Sequence, residues 1–159
     1  MKLRHLALGA AAFLALTGAA QAKVLMSGTY AANFSFATPT AFVPLASTGV
    51  TSRTVNIITA TTYVLTFSAE CAVDAPAGDS ASWVDLDVLV DGIAIAPTAG
   101  TQDAFCGANG TAGFDGWVRP SITVPLRLTA GAHTIQVQGR LDFSATGGWI
   151  SDIAVVLHD

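Results

Sequence analysis

The chain has 159 residues, of which 52% are hydrophobic and only 11% charged, with seven Lys/Arg against eleven Asp/Glu. That length suits one compact domain behind a leader, and the acidic balance argues against nucleic acid or anionic lipid as a partner. Only two cysteines, Cys71 and Cys106, are present, far from Cys-x-x-Cys spacing and without a histidine-rich partner set, so neither a metal site nor a cofactor is expected.

The leader comes first. Lys2 and Arg4 precede an apolar run over 6–20, and Ala20-Gln21-Ala22 places small residues at the −3 and −1 positions of a peptidase site. Residues 1–22 therefore read as a secretory signal peptide cleaved before Lys23, leaving 23–159 as a single domain in the periplasm or outside the cell. The apolar run is about 15 residues, short of the ~20 needed to cross a bilayer, and no later stretch reaches that length. No membrane span is expected.

Beyond the leader the hydrophobic period is two. Residues 29–36, 41–45 and 52–60 are short, Thr-rich strand candidates. Residues 63–72 read as a strand with Tyr63, Leu65, Phe67, Ala69 and Cys71 inward, and 74–82, rich in Ala, Gly and Asp, as a loop. In 84–90, Val84, Leu86, Val88 and Val90 share one face and Asp85 and Asp87 the other; Asp91-Gly92 then supplies a tight turn, with 93–96 running back. Gly107, Gly110, Gly113 and Gly116 mark 107–116 as a flexible connection. Ile122, Val124, Leu126 and Leu128 alternate with polar residues, and Pro125 on the polar side points to a sheet edge. Ala130-Gly131 then turns the chain into His133, Ile135 and Val137, which reads as a second hairpin. Residues 149–158 form a closing strand around Ile153, Val155 and Leu157, with Trp149 in the core and His158 at a frayed end. No window shows a capped amphipathic helix. The class is all-β, an antiparallel sandwich of about eight to ten strands.

In an exported chain, Cys71 and Cys106 are expected to form one disulfide, contributing about 3 to 4 kcal/mol through loop closure. From Tyr63 onward the sequence resembles extracellular jelly-roll modules. The residues that carry the likeness are Tyr63-Val64-Leu65-Thr66-Phe67, the segment from Asp85 to Asp91-Gly92, Leu128-Thr129-Ala130-Gly131-Ala132-His133-Thr134-Ile135, and Trp149-Ile150-Ser151-Asp152-Ile153. Carbohydrate-binding modules of the jelly-roll kind look like this, and C1q-like and tumour-necrosis-factor-like domains are similar in the same places. The resemblance implies a jelly-roll sandwich and, more weakly, a sugar ligand; an acidic calcium-binding cluster near residue 23 is missing, and ligand residues do not carry over.

The candidate chemistry is sparse. Neither a Gly-x-Ser-x-Gly elbow nor a His-Glu-x-x-His pair is present. His133 has inward parity and reads as structural, and Asp85 and Asp87, two apart on one strand face, read more readily as a solvated edge than as an acid and base pair. The expectation is a protein that is not an enzyme. Two aromatics stand out instead. Trp83 shares its face with Asp85 and Asp87, and Trp117 shares parity with Arg119, Ser121 and Thr123, so two indoles with carboxylates and a guanidinium beside them offer the ingredients of a sugar platform. Trp83, Asp85, Asp87, Trp117 and Arg119 are the candidate ligand-binding residues. Against this, both indoles lie at strand ends, where parity is easily broken. The expected partner is an extracellular glycan or protein; the alternative is a self-assembling surface, fimbrial or coat subunit that oligomerises through strand edges.

Overall fold

A computed structural model describes residues 22–99 and 103–159. The leader expected over 1–22 lies, except for Ala22, outside the described residues. Among the described residues are twelve strands: β1 (Val24–Tyr30), β2 (Phe34–Phe36), β3 (Thr40–Phe42), β4 (Ser52–Ile57), β5 (Thr61–Ala75), β6 (Trp83–Val90), β7 (Ile93–Ala94), β8 (Ala104–Gly107), β9 (Gly113–Val118), β10 (Ser121–Leu128), β11 (Gly131–Asp142) and β12 (Gly147–His158).

They form two antiparallel sheets packed face to face. In the first sheet the order is β1-β12-β5-β10, with β2 continuing the β1 side of β12 and β9 lying beside β5; in the second it is β3-β11-β6-β7, with β4 beside β11 and β8 beside β6. Short segments that continue one another therefore reduce to eight strand positions, four per sheet. Following the chain through them, most connections cross from one sheet to the other, and β6 to β7 stays within a sheet as a hairpin. This is a jelly-roll sandwich.

Alternation explains the core. Tyr63, Leu65, Phe67, Ala69 and Cys71 of β5 are buried against Val84, Leu86 and Val88 of β6, with Val124, Leu126 and Leu128 from β10 and Ile135 and Val137 from β11 completing the interior. Each such side chain contributes about 1.5 to 3 kcal/mol on full burial. The Cys71–Cys106 disulfide joins β5 to β8, tying one sheet to the other across 35 residues of sequence. Asp91 and Gly92, with φ of 52° and 80°, make the left-handed turn of the β6–β7 hairpin. The Asp91 carboxylate accepts from the Thr134 N–H at 2.7 Å and meets His133 Nδ1 at 2.7 Å, while His133 Nε2 lies 3.0 Å from the Thr129 carbonyl. His133 is thus structural, and its pKa is raised by the bond to Asp91. Pro125 faces out on β10, the edge of its sheet, where its missing N–H costs no ladder bond.

Three expectations are corrected. The segment from β10 through Ala130-Gly131 to β11 is no hairpin: β10 pairs with β5 and β11 with β6, so the two apolar rows face one another across the core. The glycine-rich stretch is half strand, since Gly113 to Gly116 lie in β9 paired with β5. His158 is paired with both Val24 and Val64 at the end of β12.

Candidate functional site

The five residues singled out in the sequence do not meet at one place. Trp83, Asp85 and Asp87 lie on the outer face of the second sheet, and Trp117 and Arg119 belong to β9 and its exit beside the first. Parity placed Asp85 and Asp87 opposite the core correctly, but their solvation is corrected: they are 0% and 4% exposed. The reason is Arg140, their neighbour on β11, whose guanidinium reaches Asp85 Oδ2 at 2.5 Å, Asp87 Oδ2 at 2.7 Å and Asp142 Oδ2 at 3.1 Å. Three carboxylates gather round one cation with little water. Burial, and then a hydrogen bond with Asp142, push the Asp85 carboxyl up to about 6. These bonds tie β6 to β11.

Trp83 is half-buried, its ring 4.4 Å from that of Phe143 at 63°. Phe143 sits in the β11–β12 turn, which is held by a bond from the Ser144 N–H to Ser82 Oγ at 2.9 Å. Asp79 in turn accepts from the Ser82 hydroxyl at 2.7 Å.

The first sheet presents a different surface. Its central strand β5 turns Glu70, Ala72 and Asp74 outward, and both of its neighbours carry a bulge at that level. On β9, Val73 pairs with Asp115 and Cys71 with Val118, so one extra residue is inserted at Gly116, whose φ is 63°. A Cβ at Gly116 would lie 2.2 Å from the Gly107 carbonyl oxygen, so only glycine fits. On β12, Glu70 pairs with Ser151 and Ser68 with Ala154, and the extra residue is Asp152 at φ 48°. A bulge re-aims the side chains around it. The first lets Phe114 and Trp117, three residues apart, come up on one side of β9; the second turns Ile150 into the core and Trp149 outward.

The result is a row of three rings. Trp149 stands in the middle, 5.6 Å from Phe114 at 68° and 5.7 Å from Trp117 at 73°. These edge-to-face pairs are the favoured aromatic geometry and hold one another in place. Small residues seat them: Ala72 is fully buried, and a Cβ at Gly147 would be 3.3 Å from the tip of the Phe114 ring. Phe114 therefore leans across β5 toward β12. Despite this packing, Phe114 remains 40% and Trp117 53% exposed.

Polar groups rim the row. Glu70 Oε2 accepts from Ser151 Oγ at 3.3 Å, and Arg119 stands 3.9 Å from Asp152. At the other end, Asp74 Oδ2 accepts from Thr146 Oγ1 at 2.9 Å. A groove of about 250 Å³ runs along Glu70, Trp117, Val118 and Arg119, and another of about 400 Å³ along Ser35, Phe36, Asp74, Phe114 and Thr146. Of the sequence candidates, Trp117 and Arg119 thus belong to this surface; Phe114, Trp149 and Asp152 join them there without having been singled out in the sequence. Trp149, expected in the core, shares odd numbering with the buried Ile153, Val155 and Leu157, and the inserted Asp152 breaks that count.

No protein-family model matches the chain, and no curated protein matches it in sequence. Among solved structures, it is similar to the native structure of a family 35 carbohydrate-binding module from Clostridium thermocellum, with 16% identity and a TM-score of 0.36 over 82% of this chain and 97% of that one. This likeness is too distant to carry an assignment.

Proposed function

We propose that the protein is an exported, non-catalytic module that binds carbohydrate on the outer face of its first sheet, across Phe114, Trp149 and Trp117. The carrying observation is the pair of bulges, which give up regular pairing on both sides of β5 to bring three aromatic rings together on an exposed surface. Aromatic faces bind the C–H faces of sugar rings, and hydroxyl groups find carboxylates and a guanidinium at the rim. Asp85 and Asp87 are committed to Arg140, and both ring nitrogens of His133 to Asp91 and Thr129. Export by cleavage before Lys23 is part of the proposal. The Lys23 nitrogen lies 2.5 Å from Asp159 Oδ1, so a freed α-ammonium there would meet a carboxylate.

A glycan array on the domain from Lys23 onward, followed by calorimetry on its best ligand, tests this reading. Trp117→Ala should weaken binding by about 1 to 3 kcal/mol with little change in melting temperature, because the ring is half in solvent. A ligand held equally well by the variant would remove the proposed face, and a protein partner captured in place of any glycan would remove the ligand class.

A further inference from the structure

Resting on that reading, we infer that the ligand is an internal stretch of about two or three units of a single, soluble, uncharged glycan chain. Three features of the surface lead there.

The first is length. Successive ring centres are 5.6 and 5.7 Å apart, a step comparable with that between neighbouring pyranoses in a chain, so the exposed Phe114 and Trp117, at either side of half-buried Trp149, span at most about two such steps. An open groove lies at each end of the row, one lined by Trp117, Val118 and Arg119 and the other by Phe114, Ser35 and Phe36. A chain can enter at one side and leave at the other, whereas a site for a terminal sugar is a closed pocket.

The second is ring orientation. Trp149 is turned by 68° and 73° from its two neighbours. Rings at such angles cannot all lie flat on one plane, so a crystalline polysaccharide face could not stack on Trp149 together with either neighbour. A separate chain, free to rotate about its linkages, presents successive faces in different directions and can meet them all.

The third is charge. Glu70, Asp74 and Asp152 border the row, and Arg119 is already matched by Asp152. With an excess of carboxylate at the surface and over the whole chain, a uronate or sulfate on the ligand would be repelled.

Calorimetric titration of the domain with cello-, manno-, xylo- and malto-oligosaccharides of increasing length, from monosaccharide to hexasaccharide, reads all three features. For the series that binds, affinity should rise by about tenfold or more up to the trisaccharide and by less than about threefold beyond it. Polygalacturonate should not compete at low ionic strength, and microcrystalline polysaccharide should not sediment the protein. A monosaccharide that binds as well as the hexasaccharide, a polyuronate that outcompetes the neutral chain, or retention on the crystalline solid would overturn the inference while leaving carbohydrate binding intact. If no member of any series binds, charged or neutral, the proposed function falls together with it.

Discussion

Asp85→Asn isolates the electrostatics of the Arg140 cluster. Asp85 is closed off from solvent and shares its surroundings with Asp87, Asp142 and the single guanidinium, and its carboxyl titrates at about 6 where an ordinary aspartate titrates at 3.8. A group whose folded pKa is raised binds its proton more tightly in the folded state, so its stabilisation is complete below about pH 4 and is lost as pH climbs through about 6. The interval from 3.8 to about 6 corresponds to about 3 kcal/mol. With a urea slope of about 1.5 kcal/mol/M, the wild-type midpoint should fall by about 2 M between pH 4 and pH 7 from this group alone. Of the other shifted groups, Asp79 and Asp91 act below that window and His133 enters only at its upper edge. Hydrogen bonds hold Asp79 and Asp91 below the usual value, so their contribution is lost only as pH falls under about 4, and raised His133 loses its contribution above about 6.5. The substituted amide keeps an oxygen for Arg140 and an N–H for Asp142 but has no proton to lose, so the variant's midpoint should be nearly flat over the same range. Urea unfolding with the disulfide intact, followed by tryptophan fluorescence at each pH, gives both profiles. Parallel profiles for the two proteins would refute the assignment of the pH dependence to Asp85.

Gly147→Val should push the Phe114 ring off its seat, since even a Cβ there stands 3.2 Å from Asp74 and 3.3 Å from Phe114; glycan affinity measured by calorimetry should fall several-fold while the far-ultraviolet dichroism stays unchanged. Trp83→Ala should do the opposite, costing about 3 kcal/mol in urea unfolding through loss of the Phe143 pair and its packing, with ligand affinity intact. Reducing Cys71–Cys106 should lower unfolding stability by about 3 to 4 kcal/mol, read as a shift of the urea midpoint with and without reductant.

The period-two pattern made most of the fold legible. Val84, Leu86 and Val88, or Tyr63, Leu65 and Phe67, are buried as alternation requires, and the Asp91-Gly92 turn and the cross-sheet disulfide are where the residues pointed. Sheet membership was harder. Leu128-Thr129-Ala130-Gly131 looks the same whether the next strand lies beside its predecessor or opposite it, and here it crosses to the other sheet.

The site was half legible for a related reason. Alternation assumes one residue per rung, and the extra residues Gly116 and Asp152 violate it at the two places where the aromatic row is built. The glycine was visible but read as a loop; an aspartate at φ 48° leaves no mark in the sequence. The burial of Asp85 and Asp87 was hidden for the opposite reason: their parity was right, and their partner Arg140 is more than fifty positions away in the chain.

The most direct measurement follows the three indole N–H signals by nuclear magnetic resonance while the best neutral oligosaccharide is added. Binding across the first sheet predicts saturable shifts at Trp117 and Trp149 with Trp83 unmoved, because Trp83 lies on the other sheet against Phe143. Shifts confined to Trp83, or a bound ligand that leaves Trp117 and Trp149 unchanged, would contradict the account.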